Sequence, residues 1–266
     1  MKVGVVGCWG QMGRMLVAGA INDDRVEFVG GTEHPESALV GQDIAALLGL
    51  DKKPVYIGSD PLSLFQDSDV IIDFTAPAAT VNHAKLAAET RTALIIGTTG
   101  LSDEEQMYIN NAALMAAIVQ AGNMSMGINL LVGITEKAAK ILGEGWDVEV
   151  LEMHHRKKVD APSGTALMLG EAAASGMGVK HSEKALFGRK GQAGPRSDGE
   201  IGYSVLRGGD VVGDHSIIFA GYGERIEFTH KASDRALFVK GALRAALWIG
   251  QKEPGLYSMR DVLNLD

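Results

Sequence analysis

Cysteine occurs once in these 266 residues, at Cys8. No internal disulfide can form and a cysteine-based metal site is excluded, a pattern that fits a reducing compartment. Positive charge is also scarce, with 25 Lys and Arg against 33 Asp and Glu and a formal net charge of −8. That balance disfavours non-specific binding to nucleic acid or to an anionic membrane, so an anionic ligand needs a local cationic site. No apolar run reaches transmembrane length, and Met1-Lys2-Val3-Gly4-Val5-Val6 enters a strand-like run with no apolar segment and cleavage site before it. A cytoplasmic protein with neither nucleic acid nor membrane as partner is expected, and no bound metal. Internal repeats and low-complexity tracts are absent, and the length suits one large or two modest domains with a well-buried core.

What is present in the first half is alternation. Short apolar runs at Val3 to Val6, Val26 to Val29, Val55 to Ile57, Val70 to Phe74, Ala93 to Ile96 and Ile118 to Val119 are separated by helical spacing at Gln11 to Ile21, Ala78 to Glu89 and Asp103 to Met115. Continuously apolar strands alternating with helices predict an α/β domain, a doubly wound Rossmann-type parallel sheet covered on both faces. The pattern changes after Asn123. An amphipathic stretch from Met126 to Leu142 leads to a strand ending at Met153, in which Trp146, Val148, Val150 and Glu152 share one face at period two. Strand-like runs at Glu200 to Arg207, Val211 to Ala220 and Arg225 to His230 follow, joined by Gly208-Gly209-Asp210 and Gly221-Tyr222-Gly223. These predict a second, α+β domain on an open mixed sheet. Phe187 to Asp198 reads as a loop, and Ala236 to Ile249 as a helix able to cap either domain. The expected division is residues 1–124 with 234–266 for dinucleotide binding, and 125–233 for substrate binding and oligomerisation.

Gly7-Cys8-Trp9-Gly10-Gln11-Met12-Gly13 follows the first strand and opens the first helix. Glycines there permit close backbone approach and the helix start favours negative charge, so this is the expected pyrophosphate site, although G-x-x-G-x-x-G departs from the commoner G-x-G-x-x-G. Glu33, twenty residues beyond Gly13, ends the second strand where an acidic side chain accepts from ribose hydroxyls. It would repel a 2′-phosphate, which favours NADH, while the neighbouring His34 softens the preference and leaves NADPH open. Phe74-Thr75-Ala76-Pro77, Gly97-Thr98-Thr99-Gly100 and Ala121-Gly122-Asn123-Met124 close later strands and are candidates for the nicotinamide side.

The densest chemistry lies in His154-His155-Arg156-Lys157-Lys158, five basic positions in succession, followed by Pro162-Ser163-Gly164-Thr165-Ala166, which reads as a helix start. Imidazoles that titrate near neutrality, an ammonium donor and helix-end N–H groups together suit a small anionic substrate and proton transfer. A solvated basic loop, or histidines packed under the sheet, would be the plainer explanation for the pair of histidines taken alone.

The stretch from Glu152 to Ala166 closely resembles the signature of the bacterial dihydrodipicolinate reductase family, and the likeness runs through the glycine loop, Asp73-Phe74-Thr75, Gly208-Gly209-Asp210, His230-Lys231-Ala232-Ser233 and Met259-Arg260-Asp261. The resemblance implies catalytic roles for His154 and Lys158 in proton transfer, with their division open. It implies substrate contacts from His155, Lys158, Ser163, Gly164 and Thr165, and cofactor contacts from Gly7, Cys8, Trp9, Gly10, Gln11, Met12, Glu33, His34, Gly97, Thr98, Thr99, Ala121, Gly122, Asn123 and Met124. It further implies reduction of a small cyclic dicarboxylate, 4-hydroxy-tetrahydrodipicolinate, with NADH or NADPH in lysine and diaminopimelate biosynthesis, by a homotetramer built through the second-domain sheets. Two positions depart from the family pattern: His34 stands where good NADPH users often carry a stronger base, and Met124 where some relatives have Phe. Since the glycine loop and the basic cluster fall in different domains, closure about hinges near Met124 and Ser233 is expected.

Overall fold

The computed structural model describes residues 1–265; Asp266, the end of the expected nucleotide-binding range, lies outside the described residues. The chain runs β1 (Lys2–Val6), α1 (Gln11–Ile21), β2 (Glu27–Thr32), α2 (Ile44–Leu47), β3 (Ile57–Gly58), α3 (Pro61–Asp67), β4 (Val70–Asp73), α4 (Pro77–Thr90), β5 (Ala93–Ile96), α5 (Asp103–Ala112) and β6 (Ala117–Gln120). A second set follows: α6 (Met126–Leu142), β7 (Asp147–His154), α7 (Gly164–Met177), α8 (His181–Lys184), β8 (Ala185–Leu186), β9 (Ile201–Arg207), β10 (Gly213–Gly221) and β11 (Glu224–Ala232). Last come α9 (Ala236–Ile249), β12 (Gly255–Tyr257) and α10 (Met259–Leu263). Contacts divide the described residues into one unit of Met1–Met124 with Ala236–Asn264 and another of Ser125–Arg235 with Leu265.

The first unit holds a seven-stranded sheet in the order β12-β6-β5-β4-β1-β2-β3, and every pairing in it is parallel. Its central strands are buried along their whole length, as at Val70–Asp73 and Ala93–Ile96, which is why they read as unbroken apolar runs. Helix α9 belongs to this unit: Val239, Ala242, Leu243 and Ala246 join Val3, Val5, Leu16 and Val17 in one core. An ideal Cβ at Gly19 would meet Val239 Cγ1 at 2.4 Å, so that glycine lets α1 and α9 approach closely. The edge strand β12 is three residues long and pairs with β6; so short a strand carries no period of its own.

The second unit is a mixed five-stranded sheet, β11-β10-β7-β9-β8, with β7 parallel to β9 and antiparallel to β10. Helices α6 and α7 cover one face. Leu131 and Ala139 of α6 and Ala166, Leu169 and Ala173 of α7 pack on Val148, Val150, Ile201, Tyr203, Ile217 and Phe219. Alternation along β7 buries Val148, Val150, Glu152 and His154. The strand runs one residue past its expected end, and by period two that residue, His154, joins Glu152 under the helices.

Candidate active site

The crevice of the first unit lies where the chain winds away from β1 in both directions, towards β2 and β4. Gly7 turns out of β1 at φ +61°, a left-handed conformation costly for other residues, and an ideal Cβ there would strike Thr75 Cγ2 at 2.6 Å. At Gly13 an ideal Cβ would lie 2.1 Å from the Gly7 carbonyl oxygen, so only glycine lets α1 begin this near the loop. Helix α1 has no side-chain cap, which leaves the first-turn N–H groups of Gln11 and Met12 to face an anion. The backbone cradle thus fits a dinucleotide pyrophosphate. Glu33 Oε1 accepts from the Trp9 N–H at 2.6 Å, which ties the loop to the end of β2. His34 is exposed and its Nδ1 accepts from the Glu36 N–H. Cys8 is fully buried, and burial, with Glu33 adding, pushes its thiol up to about 12; any cofactor contact at Cys8 belongs to its backbone.

The other strand ends are tied together by Asp73, which is wholly buried. Its Oδ2 meets His83 Nδ1 at 2.8 Å, and its Oδ1 accepts from the Thr75 N–H at 2.8 Å and the Thr75 hydroxyl at 2.6 Å. Thr98, buried, donates to Asp73 Oδ1 at 3.4 Å and accepts from Thr80 at 2.8 Å. Burial alone would raise the Asp73 carboxyl, but His83 and the Thr75 donors outweigh it and hold it below the usual range. Gly97 leaves no room for a side chain, since an ideal Cβ would lie 2.3 Å from the Phe74 ring. Thr99 and Gly122 are exposed, and Ala121 and Asn123 half-buried. Met124 is only 1% exposed, and its side chain packs in the first unit's core.

In the second unit two of the sequence-predicted residues, His154 and Ser163, converge on a carboxylate that the sequence had placed only by its strand face. Glu152 Oε2 meets His154 Nδ1 at 2.6 Å, and Glu152 Oε1 accepts from the Ser163 N–H at 3.0 Å. Arg207 grips both oxygens, at 2.7 Å and 3.0 Å, and also donates to the Asp160 carbonyl at 2.7 Å. Burial would raise the Glu152 carboxyl, but the hydrogen bonds from Arg207, His154 and Ser163 prevail and hold it low. Lys158 pairs with Asp160 at 2.8 Å, and that bond draws the half-exposed Asp160 carboxyl down.

Ser163 is buried, and its hydroxyl faces inward. It caps α7 by accepting from the Ala166 N–H at 3.2 Å and meets His215 Nε2 at 3.1 Å. The hydroxyl of Ser163 thus serves the start of α7 and His215. Gly164 is exposed and Thr165 half-buried at the first turn, and His155 is half-buried. His215 stands edge-on to His154, with ring centroids 5.0 Å apart. Burial first, then the charge of His154, brings its imidazole down to about 4, so it is neutral at physiological pH. Glu152, Arg207 and His215 escaped the sequence reading as site residues. The available signal was a carboxylate on the buried face of β7, which must find partners.

A doubly wound nucleotide-type sheet with a glycine cradle, together with a separate mixed-sheet unit carrying an imidazole–carboxylate pair and a lysine beside a helix start, defines a two-domain dinucleotide-dependent oxidoreductase. Comparison with known proteins narrows the class. Residues 1–124 match the model for dihydrodipicolinate reductase, N-terminus, and residues 127–263 that for its C-terminus. Relatives called 4-hydroxy-tetrahydrodipicolinate reductase are 52% identical in Cereibacter sphaeroides, across 98% of this chain and 97% of the relative, and 49% identical in Afipia carboxidovorans, across 100% and 97%. Among solved structures, a dipicolinate-bound dihydrodipicolinate reductase from Paenisporosarcina sp. TG-14 shares the fold with TM-score 0.77 at 23% identity, over 97% of each chain. A probable dehydrogenase from Thermotoga maritima matches with TM-score 0.64 at 12% identity, over 100% of this chain and 93% of the other. The chain belongs to the dihydrodipicolinate reductase family, and the α/β architecture expected from sequence is the one found.

Proposed function

We propose that the chain reduces 4-hydroxy-tetrahydrodipicolinate to tetrahydrodipicolinate and water in lysine and diaminopimelate biosynthesis, in the cytoplasm, with NADH favoured and NADPH admitted. The observation that carries this reading is the His154 imidazole seated on Glu152, in the same unit as Lys158 and the start of α7. The nicotinamide would supply a hydride; the protein must supply one proton and hold a dianion. Lys158 is suited to the anion. Its bond to half-exposed Asp160 is a surface ion pair, worth about 0–1 kcal/mol, so a substrate carboxylate can take Asp160's place. His155 and the Gly164 and Thr165 turn would hold the carboxylates, and Lys158 or His154 would deliver the proton.

Because the cradle and the cluster lie in different units, turnover requires the reacting atoms to be brought together. Closure about the junctions near Met124 and Ser233 would do so, and small-angle scattering identical with and without both ligands would count against it. Assembly as a homotetramer through the sheet of the second unit is supported by apolar side chains on the face away from α6 and α7. Met153 and Leu206 are paired there on adjacent strands, and Leu206 is exposed.

The deciding assay generates the unstable substrate in situ from pyruvate and aspartate semialdehyde and follows oxidation of each cofactor. NADH should be oxidised with higher kcat/KM than NADPH; a clear NADPH preference would show that Glu33 does not set the choice. His154→Ala and Lys158→Ala should each lower kcat by about 10²-fold or more. Near-normal kcat in both would overturn the assignment.

A further inference from the structure

One carboxylate holds together three parts of the second-unit site. Arg207 and the Ser163 N–H can only donate, and the Arg207 guanidinium pairs with both oxygens of Glu152, an arrangement that favours the ionised carboxylate. An ionised oxygen 2.6 Å from His154 Nδ1 requires that nitrogen to carry a hydrogen. The tautomer of His154 is thereby decided by geometry. Its other nitrogen, Nε2, makes no hydrogen bond among the described residues and is not among the buried polar atoms lacking a partner; it is the nitrogen open to a ligand. Gly213 keeps that side clear, since an ideal Cβ there would stand 3.0 Å from Nε2.

We infer that Glu152, clamped by Arg207, is the positioning residue of this site: it fixes His154 as the Nδ1–H tautomer with Nε2 exchanging the proton, and through the Ser163 N–H it sets the start of α7 in the same frame. The inference rests on the proposed reduction for its catalytic meaning, while the tautomer stands apart from it. Arg207 makes the arrangement rigid. Its guanidinium also holds the Asp160 carbonyl, so the segment that carries Lys158 hangs from the same clamp; β7 contributes Glu152 and His154, β9 Arg207, and the N-cap of α7 Ser163. The low Glu152 carboxyl is consistent with a charge kept through neutral pH. In proton delivery, Nε2–H of the imidazolium would give up its proton and leave the neutral ring in the tautomer that Glu152 already holds. That return needs no rotation of the ring.

Two measurements test this. In the wild-type protein labelled with ¹⁵N-histidine, long-range ¹H–¹⁵N spectra, taken to a pH where the ring carries one proton and assigned through His154→Ala, should show His154 as the Nδ1–H tautomer. An Nε2–H tautomer would overturn the inference without bearing on the reaction. Glu152→Gln should lower kcat by about 10²-fold while KM for NADH is unchanged, because a Gln amide cannot accept from all four donors. A folded Glu152→Gln variant with wild-type kcat would equally overturn it, and should that variant not fold, the wild-type spectrum decides. If wild-type protein oxidises neither cofactor in the coupled assay, the proposed reduction fails and the tautomer result still stands or falls by itself.

Discussion

Replacing Gly13 by alanine sets two effects of opposite sign against each other, and the structure says which wins. Alanine in place of glycine inside a helix gains about 1 kcal/mol from propensity. The new Cβ, however, would lie 2.1 Å from the Gly7 carbonyl oxygen, 2.7 Å from the Cys8 carbonyl carbon and 2.9 Å from Cys8 Cα. All three atoms are backbone. Ordinary contact begins at 3.4 Å, so α1 and the loop must part by about 1.3 Å along the shortest of these. Overpacking of this kind costs about 1–3 kcal/mol or more, and no side-chain rotation relieves it. Net stability should therefore fall by about 0–2 kcal/mol, the remainder after the propensity gain. The loss of cofactor affinity should be far clearer, since the shift moves the N–H groups that face the pyrophosphate, and a tenfold rise in the NADH Kd corresponds to about 1.4 kcal/mol. Urea unfolding and titration of NADH fluorescence measure the two. Gly10→Ala is the control: its Cβ would stand 3.4 Å from the same oxygen, and it should bind NADH almost as the parent does. A Gly13→Ala protein with parental Kd, or a Gly10→Ala protein equally impaired, would refute the steric account of the cradle.

Gly213→Ala should lower kcat several-fold with KM for NADH unchanged, because the added methyl presses on His154 Nε2 at 3.0 Å and His215 Cε1 at 3.4 Å; unchanged steady-state kinetics would show that the ring can yield. Asp73 gives a pH prediction. Its folded carboxyl is held below the ordinary 3.8, so its contribution is present above that value and lost as pH falls through it towards the lower folded value. Urea midpoints should drop more steeply below about pH 4 in the parent than in Asp73→Asn, which should be less stable at neutral pH; parallel profiles would count against the network.

The parts of the molecule that sequence made legible are those whose signal is local. Helix α1 over Gln11–Ile21, α6 over Met126–Leu142 and α9 over Ala236–Ile249 have the bounds their periodicity gave, since each pattern is long enough to count. Shorter elements depended on caps that the apolar periodicity did not register. Asp60 before Pro61 caps α3, and the Ser258 and Asp261 capping box starts α10. The apolar face of α9 by itself says that the helix is buried without saying against what; it packs in the first unit, to which the expected division gave it.

The same limit governs the site. His154 and Lys158 stood out because basic residues cluster in sequence, whereas the group that orients His154 comes from pairing across strands. Register sets His154 opposite Arg207 on the neighbouring parallel strand β9, and Glu152 opposite Val205 there and His215 on β10. Fifty-five residues separate Glu152 from Arg207, and nothing in either segment taken alone specifies a parallel pairing between them. Once the register is known, the rest follows from polar satisfaction. A carboxyl buried under α6 and α7 must find hydrogen-bonding partners, and here they are the His154 imidazole, the helix start and the arginine. Residues that act on a substrate can thus be found from their own chemistry. Those that act through another residue become visible only when the sheet is assembled.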